Sequence, residues 1–354
     1  MLYQTKNQHG GDVYGGGITL DFSANTNPLG TPPGVLEAVC RALPRLHRYP
    51  DPYCRRLVQA IAGHEQVPAS YILCGNGAAD LIYTYCAALR PRTAVELAPT
   101  FVEYGAGLAQ VGCRVERYFL HQAQNFDLDE RFLSFLEEKK PEVVFLCNPN
   151  NPTGRLIPLP LLEQILQGCA AWGARVFLDE CFLDLTEDGV SAKSLLTAHP
   201  ELLILKAFTK SYGMAGIRLG YCLCADNALL RRMAAASPPW NVSSPAQSAG
   251  VAALAERDFL QRTLSLVHTE RRWLTDNLTA LGFWVCPSHA NYLLFRGPLG
   301  LREGLLQQGI AIRGCGNYNG LGDGWYRIAV RPHGENEALI TAIRQFCKEK
   351  SLWQ

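Results

Sequence analysis

Residues 205–221 read Leu-Lys-Ala-Phe-Thr-Lys-Ser-Tyr-Gly-Met-Ala-Gly-Ile-Arg-Leu-Gly-Tyr. The apolar run from Leu202 to Leu205 leads into this stretch and predicts a short buried strand. A hydroxyl, an amine, a guanidinium and three glycines follow at close spacing. Glycines let a ligand approach the backbone closely, and hydroxyl and guanidinium donors are the groups that hold a phosphate. The stretch therefore indicates a site for an anionic ligand at the end of a strand.

Lys210 is the candidate nucleophile of this stretch. Its neighbours are mostly small or apolar, and desolvation lowers the pKa of an amine so that it can attack a carbonyl. Thr209 and Arg218 flank it and would hold a phosphate, so the ligand indicated is an anionic carbonyl cofactor. The alternative is a solvated surface lysine, since most lysines are exposed. The stretch alone leaves both interpretations open.

Two further strands end in polar side chains. Residues 143–154 read Val-Val-Phe-Leu-Cys-Asn-Pro-Asn-Asn-Pro-Thr-Gly, an apolar run that breaks into a loop carrying Asn151. Residues 175–182 read Arg-Val-Phe-Leu-Asp-Glu-Cys-Phe, a second buried strand that ends at Asp179, whose alternative role is a helix cap. Strands alternate with helical segments here, which predicts a parallel sheet with crossover helices. Asn151, Asp179 and Lys210 would meet at the carboxyl ends of its strands.

In order and spacing, these three motifs resemble the pyridoxal-phosphate enzymes of fold type I, the aspartate aminotransferase fold. The resemblance implies an α/β protein with a mostly parallel central sheet flanked by helices, plus a small α+β lobe. It implies that Lys210 forms the Schiff base with pyridoxal 5'-phosphate, that Asp179 pairs with the ring nitrogen, and that Asn151 donates to the phenolic oxygen. A buried carboxylate keeps the ring nitrogen protonated, and a protonated ring best absorbs the electrons of a carbanion.

The same family pattern assigns the remaining cofactor contacts. Gly77, Ala78 and Ala79 follow a strand and open a helix, so their backbone N–H groups would cradle the cofactor phosphate together with Thr209 and Arg218. Phe101 matches the ring that stacks on the pyridine, with Tyr104 as the second candidate. Aromatic side chains at the start of a helix are otherwise core residues.

Tyr49 matches a tyrosine that reaches the cofactor phosphate of the neighbouring subunit in these relatives. The resemblance therefore implies a homodimer with shared active sites. From the residues alone Tyr49 would be an ordinary loop aromatic.

The N-terminal residues narrow the resemblance. His-Gly-Gly at 9–11 and Asp-Phe-Ser-Ala-Asn-Thr-Asn-Pro-Leu-Gly at 21–30 resemble the threonine-phosphate decarboxylases, close relatives of the histidinol-phosphate aminotransferases. Phe182, where many aminotransferases have a tyrosine, also favours the decarboxylases. The substrate contacts implied by the resemblance are His9, Gly10, Asn25, Asn151, Arg313 and Arg327. Arg331 competes with Arg327, because strand spacing puts both on one face.

The expected reaction is the pyridoxal-phosphate-dependent decarboxylation of L-threonine O-3-phosphate to (R)-1-aminopropan-2-yl phosphate, for the nucleotide-loop arm of cobalamin. The alternative is a histidinol-phosphate-type aminotransferase with the same cofactor residues, and serine phosphate stays open as a substrate. A cofactor-sensing regulator on a degenerate aminotransferase is disfavoured, because the expected catalytic residues are present and His9 lies too near the start for a DNA-binding segment.

Composition agrees with an enzyme of this size. The chain has 354 residues, 48% of them hydrophobic, and a formal net charge of +1. This length predicts two lobes, and the near-neutral charge disfavours a nucleic-acid partner. No apolar run could span a membrane and no signal peptide is evident, so we expect a cytoplasmic protein. The thirteen cysteines include no Cys-x-x-Cys, so we expect reduced core thiols and no metal site.

Three segments are expected. Residues 1–47 join the small domain, residues 48–245 form the large cofactor-binding domain, and residues 246–354 form a linking helix and a small C-terminal domain. One long helix from Ala246 to Leu281 would link the lobes.

Overall fold

The structure is a computed structural model that describes residues 9–350. The start of the predicted N-terminal segment and the last four residues of the predicted C-terminal domain lie outside the described residues. In chain order the strands are β1 (Leu20–Asp21), β2 (Ile72–Gly75), β3 (Thr93–Ala98), β4 (Arg114–Phe119), β5 (Val143–Cys147), β6 (Arg175–Asp179), β7 (Leu202–Ala207), β8 (Gly220–Cys224), β9 (Trp284–Val285), β10 (Tyr292–Arg296), β11 (Ile310–Ala311), β12 (Arg313–Gly314) and β13 (Trp325–Ala329).

Helices separate most of these strands. In chain order they are α1 (Pro33–Ala42), α2 (Arg55–Glu65), α3 (Ala78–Leu89), α4 (Glu103–Gln110), α5 (Arg131–Lys139), α6 (Leu159–Ala171), α7 (Phe208–Ser211), α8 (Asn227–Ala236), α9 (Ser244–Ala253), α10 (Phe259–Ala280), α11 (Leu301–Gln307) and α12 (His333–Glu349). Short 3₁₀ turns span Leu43–Arg45, Ala69–Tyr71, Gln122–Gln124, Leu183–Leu185, Ala192–Leu195 and Ala215–Ile217.

The central sheet has seven strands in the order β2-β8-β7-β6-β5-β3-β4. Strand β8 runs antiparallel to both of its neighbours, and the other six strands are parallel to one another. Every residue of β5 and β7 is buried, as expected for parallel strands that helices cover on both faces. The predicted α/β fold with a mostly parallel sheet is confirmed.

A smaller lobe follows the central sheet in the chain. Its four strands are antiparallel in the order β12-β13-β10-β9; α10 packs on β9 and β10, and α12 packs against α10 and α11. Strand β1 pairs in parallel with β11, and the side chain of Phe22 lies fully buried in the core of this lobe. The N-terminal segment thus completes the small lobe, while the predicted domain boundaries at 47/48 and 245/246 stay predictions.

The predicted helix from Ala246 to Leu281 was wrong in one respect, because two helices occupy it. At the end of α9 the N–H groups of Ala255 and Glu256 donate to carbonyls three residues back, which tightens the last turn and ends the helix. The chain then turns at Asp258 before α10 begins. Residues 310–314 also form two short strands, since β11 pairs with β1 whereas β12 pairs with β13.

Within residues 9–350, no helix has the length and the apolar composition that crossing a membrane requires. All thirteen cysteines lie in this range and are free thiols. The described residues contain no cluster of histidine, cysteine and carboxylate side chains suited to a metal ion. The predicted cytoplasmic location stays a prediction.

Candidate active site

A cavity of about 230 Å³ opens where β5, β6 and β7 end. Cys147, Asp179 and Ala207, the last residues of these strands, line it together with the N-terminal segment and the small lobe. The predicted site residues around it are His9, Gly10, Asn25, Ala78, Ala79, Phe101, Asn151, Asp179, Thr209, Lys210, Arg218, Arg313 and Arg327. Gly77 and Tyr49 are the predicted residues that do not line it. The topology thus brings most of the predicted set to one place.

Lys210 lies on α7, directly after β7, and its side chain is half-buried. Burial, aided by the guanidinium groups of Arg327 and Arg218, lowers the pKa of Lys210 to about 8. About a tenth of the amine is therefore neutral at pH 7, which is far more than for a solvated lysine. The Nζ atom lies 5.5 Å from the centre of the Phe182 ring. Lys210 thus has the accessibility and the basicity of a nucleophile.

The turn that carries Lys210 is joined to distant parts of the chain by a buried amide. Asn27 Nδ2 donates to the carbonyl of Ser211 at 2.7 Å and to Thr263 Oγ1, on α10, at 2.9 Å. Asn27, Ser211 and Thr263 are all essentially inaccessible to solvent. The position of the lysine therefore depends on the N-terminal segment and on α10 as well as on the sheet.

A second lysine, Lys206, lies four residues earlier on β7 and is buried in an ionic cluster. Its Nζ lies 2.7 Å from Asp184 and 3.5 Å from Glu65, and Ser211 Oγ donates to Asp184 at 3.0 Å. Burial alone would raise the pKa of Glu65, but Lys206, Tyr221 and Lys193 together lower it to about 2. The cluster is therefore charged at neutral pH and fixes the base of the lysine turn.

Asp179 ends β6 and is buried. Its Oδ1 accepts from the backbone N–H of Cys181 at 2.8 Å, and its Oδ2 accepts from the Tyr104 hydroxyl at 2.6 Å. Burial raises the pKa of Asp179, and the contacts with Cys181 and Tyr104 oppose that rise. Tyr104, the second candidate for stacking on the cofactor ring, is buried beside Phe101 and does not line the cavity, whereas Phe101 does.

Asn151 and Arg327 contact each other at the cavity. Arg327 Nη1 donates to Asn151 Oδ1 at 2.5 Å, and Nη2 donates to the carbonyl of Ser23 at 2.8 Å. A guanidinium only donates, so Asn151 must present its oxygen to Arg327, which leaves its amide N–H groups for another partner. The Nε of Arg327 is buried and has no partner among the described residues.

The N-terminus of α3 forms the other end of the cavity. Gly77 precedes this helix with a φ of 89°, a value in the left-handed region that side chains disfavour. A Cβ at Gly77 would lie 2.8 Å from the Arg218 guanidinium, and a Cβ at Gly220 would lie 2.8 Å from the backbone N of Ala78. The two glycines therefore let Arg218 and β8 pack closely beside the free N–H groups of the helix start, an arrangement suited to a phosphate.

The N-terminal segment and the small lobe form the remaining wall of the cavity. Both polar atoms of the Asn25 side chain are buried and unpartnered within the described range. His9 Nε2 lies 2.7 Å from Glu103, and Arg313 Nη2 donates to Asn317 at 2.7 Å. A Cβ at Gly10 would lie 2.2 Å from the carbonyl oxygen of Ser23, so this close approach requires glycine. These groups can take a ligand with anionic and polar parts.

The geometry separates Arg331 from Arg327. Arg331 Nε donates at 2.8 Å to Glu335, in the first turn of α12, and Arg331 does not line the cavity. Of these two arginines, Arg327 is the one that lines the cavity.

The sequence did not predict two contacts that support site residues from behind the cavity. Tyr104 donates to Asp179, and Glu103 contacts His9; neither Tyr104 nor Glu103 lines the cavity. Their positions at the start of α4 gave no sign of these partners, since both contacts join elements distant in sequence.

Tyr49 lies on the surface, away from the cavity. Its ring is 78% exposed and stacks on Trp240 with ring centres 4.5 Å apart. Within one chain Tyr49 therefore does not meet the other predicted residues.

Comparison with known proteins places this geometry in a family. Residues 18–346 match the model of the family described as aminotransferase class I and II. The chain is 40% identical over 331 residues to a threonine-phosphate decarboxylase of Salmonella typhimurium, an alignment that covers 92% of this chain and 90% of that protein. It is 34% identical over 350 residues to a histidinol-phosphate aminotransferase of Geobacillus sp., covering 96% and 93% of the two chains.

Solved structures agree. The crystal structure of the histidinol-phosphate aminotransferase from Clostridium acetobutylicum superposes with a TM-score of 0.87 at 28% identity, and the match covers 93% of this chain and 99% of that one. Sequence and fold therefore lead to the same assignment: the chain belongs to the class I and II aminotransferase family.

Proposed function

We propose that this chain is a pyridoxal 5'-phosphate-dependent decarboxylase that converts L-threonine O-3-phosphate to (R)-1-aminopropan-2-yl phosphate, the aminopropanol phosphate used in cobalamin synthesis. One observation carries the proposal: the guanidinium groups of Arg313 and Arg327 line the same cavity as the amine of Lys210. Such a cavity fits an amino acid that carries both a carboxylate and a phosphate. The relative at 40% identity, a threonine-phosphate decarboxylase, supports the same substrate.

The residues present fit the cofactor. Gly77 and Gly220 make room beside Arg218 at a helix N-terminus, which suits the phosphate of pyridoxal 5'-phosphate. A buried carboxylate, Asp179, and an amide donor, Asn151, line the same cavity. When bound, the cofactor supplies a carbonyl for the substrate amine and a protonated ring that accepts the electron pair left when a bond to the α-carbon breaks.

Each side chain then has a defined task. Arg218, Thr209 and the N–H groups at the start of α3 would bind the cofactor phosphate, and Phe101 would pack on the ring. Asp179 holds the proton at the ring nitrogen, because a buried carboxylate stabilises a neighbouring positive charge. Asn151 donates to the phenolic oxygen with the amide group that Arg327 leaves available.

Substrate orientation decides which bond breaks. Arg313 and Arg327 would bind the carboxylate and the phosphate, while His9 and Asn25 complete the contacts. Lys210 would return a proton to the α-carbon after carbon dioxide leaves, since its pKa of about 8 lets it hold a proton near neutral pH. Proton return to the cofactor carbon instead would lead toward transamination, which is the reaction of the histidinol-phosphate aminotransferase alternative.

The substrate can be tested directly. Purified protein loaded with pyridoxal 5'-phosphate should release carbon dioxide from L-threonine O-3-phosphate over many turnovers without any keto acid. L-threonine, which lacks the phosphate, should react with kcat/KM lower by ~10⁴-fold, because it leaves a buried guanidinium unpaired. O-phosphoserine should fall between them, since one methyl group changes rates by about 10- to 200-fold. No carbon dioxide release, together with amino transfer from histidinol phosphate to 2-oxoglutarate, would favour the aminotransferase instead.

The same proposal includes a homodimer with shared sites. Five large apolar side chains between residues 36 and 53 are exposed to solvent. They are Leu36, Leu43, Leu46, Tyr49 and Tyr53, with Trp240 stacked on Tyr49. A second copy of the chain would bury them, and Tyr49 would then reach the cofactor phosphate of the partner subunit.

Subunit mixing tests this sharing. Lys210→Ala and Tyr49→Ala homodimers should each be nearly inactive. After the two are unfolded together and refolded, mixed dimers would combine an intact Lys210 with an intact Tyr49 in one of their two sites, so about a quarter of the wild-type activity should return. If Tyr49 served the site of its own chain, no activity would return. Refolding each variant alone provides the control.

A further inference from the structure

The hydroxyl of Tyr104 lies behind the cavity and contacts one of the site carboxylates. Tyr104 is on α4, its side chain is completely buried, and its ring stacks on Phe145 with centres 5.4 Å apart. Its hydroxyl donates to Asp179 Oδ2 at 2.6 Å. No part of Tyr104 lines the cavity, so it can influence a ligand there through Asp179.

Asp179 has few other donors. Its second oxygen, Oδ1, accepts from the backbone N–H of Cys181 at 2.8 Å. The thiol of Cys181 also bonds to this carboxylate, so Cys181 and Tyr104 are its two donor residues. Together these two residues determine the plane of the carboxylate. Both donors also stabilise the charged form, which burial disfavours. Loss of either donor should leave a carboxylate that rotates more freely and takes up a proton more readily.

A second tyrosine in the same aromatic cluster provides a natural contrast. Tyr85, on α3, is also completely buried, and its ring packs edge-on against Phe145. Its hydroxyl has no hydrogen-bond partner among the described residues. The two tyrosines thus share burial and packing, and they differ in whether the hydroxyl contacts Asp179.

We propose that Tyr104 is a positioning residue that fixes the Asp179 carboxylate in its charged form, so that the proton stays on the ring nitrogen of the cofactor. The inference rests on the proposed cofactor function and extends it to a residue outside the cavity. The proton is shared between Asp179 and the ring nitrogen, and each hydrogen bond donated to the carboxylate lowers its affinity for that proton. Without the Tyr104 hydroxyl, the proton moves toward Asp179 and the ring accepts electrons less well.

The other titratable groups around Asp179 stay in place when this hydroxyl is removed. They are Cys147 on β5, Cys181 in the loop after β6, Lys210 on α7 and Tyr292 on β10. The thiol of Cys147 also lies beside the Tyr104 hydroxyl. None of these groups gains or loses a covalent atom in Tyr104→Phe, so the variant isolates the one donor.

The test compares Tyr104→Phe with Tyr85→Phe. Each protein is loaded with pyridoxal 5'-phosphate carrying nitrogen-15 in its ring, and the nitrogen chemical shift is followed with pH to find where the ring loses its proton. In Tyr104→Phe we expect the nitrogen shift at neutral pH to move toward that of the unprotonated ring, since a hydrogen bond to a charged group changes an equilibrium by about tenfold or more and the shared proton then lies more on Asp179. The kcat for L-threonine O-3-phosphate should fall by about tenfold with KM nearly unchanged, because the ring's charge matters most in the transition state.

Tyr85→Phe should match the wild type in both measurements. Because a phenyl ring fits either pocket, thermal unfolding of both variants is expected to resemble that of the wild type. Equal nitrogen shifts and equal kcat values in Tyr104→Phe and Tyr85→Phe would overturn the inference. Failure of the wild type to bind the cofactor at all would instead overturn the proposed function, and this inference with it.

Discussion

Lys210→Met is expected to lower the rate of decarboxylation of L-threonine O-3-phosphate by ~10³-fold or more, while the protein stays folded. The variant loses the amine that would hold the cofactor carbonyl and the acid that would return a proton to the α-carbon. Reduction of the wild-type holoenzyme with borohydride, followed by peptide mapping, should find the cofactor on the peptide that contains Lys210. Cofactor on another lysine, or full activity in the variant, would contradict the assignment.

The same substitution should not destabilise the protein without cofactor. The pKa of Lys210 is lowered to about 8 in the folded chain from its ordinary value near 10.5. A charged amine is thus less favourable folded than unfolded, and this penalty is fully present below pH 8 and vanishes as the pH rises through about 10.5. The melting temperature of apo Lys210→Met should therefore equal or exceed that of the wild type at pH 7. The difference should shrink above pH 10.

Unlike Lys210→Met, Lys206→Met is expected to destabilise the protein, lowering the free energy of unfolding by about 3–5 kcal/mol. Lys206 is 4% exposed and lies between Asp184 and Glu65, so its removal leaves two carboxylates without their buried cation. Burial would lower the pKa of Lys206, but Asp184, Glu65 and Glu180 raise it, so the lysine is charged throughout the physiological range. Thermal unfolding of the apoprotein at pH 7 measures the loss.

Lys193→Met is the matched control, because Lys193 contacts the same Glu65 at 2.9 Å with a side chain that is 37% exposed. Solvent replaces its charge, so about 1 kcal/mol or less should be lost. Similar melting temperatures for the Lys206 and Lys193 variants would contradict the view that the buried cluster supports the lysine turn.

The parts of the site that could be predicted from sequence lie where a strand ends. Asn151, Asp179 and Lys210 each follow a buried apolar run, and the parallel order of β5, β6 and β7 brings such positions to one edge of the sheet. The fold itself could be predicted for the same reason, since alternation of strand and helix restricts the topology. The roles of these residues toward a cofactor stay predictions.

Contacts between elements far apart in the chain could not be predicted from the sequence. The partner of Tyr104 is 75 residues away and that of Glu103 lies in the N-terminal segment. Neither contact leaves a pattern in the local sequence. A buried tyrosine has apolar neighbours in the sequence whether or not its hydroxyl donates to a carboxylate. The break between α9 and α10 was missed for a related reason, as residues 254–258 keep a helical composition.

The hydrogen bonds of Asn27 have a consequence for how the protein is made. They join it to residues 184 and 236 positions later in the chain, and β1 pairs with a strand still further along. A nascent chain on the ribosome can form the large sheet while residues 20–30 still lack their docking partners. Synthesis must pass α10 and β11 before those residues can settle on the lysine turn. The pocket is therefore assembled last, and a chain stalled before residue 310 would hold a folded sheet without a working active site.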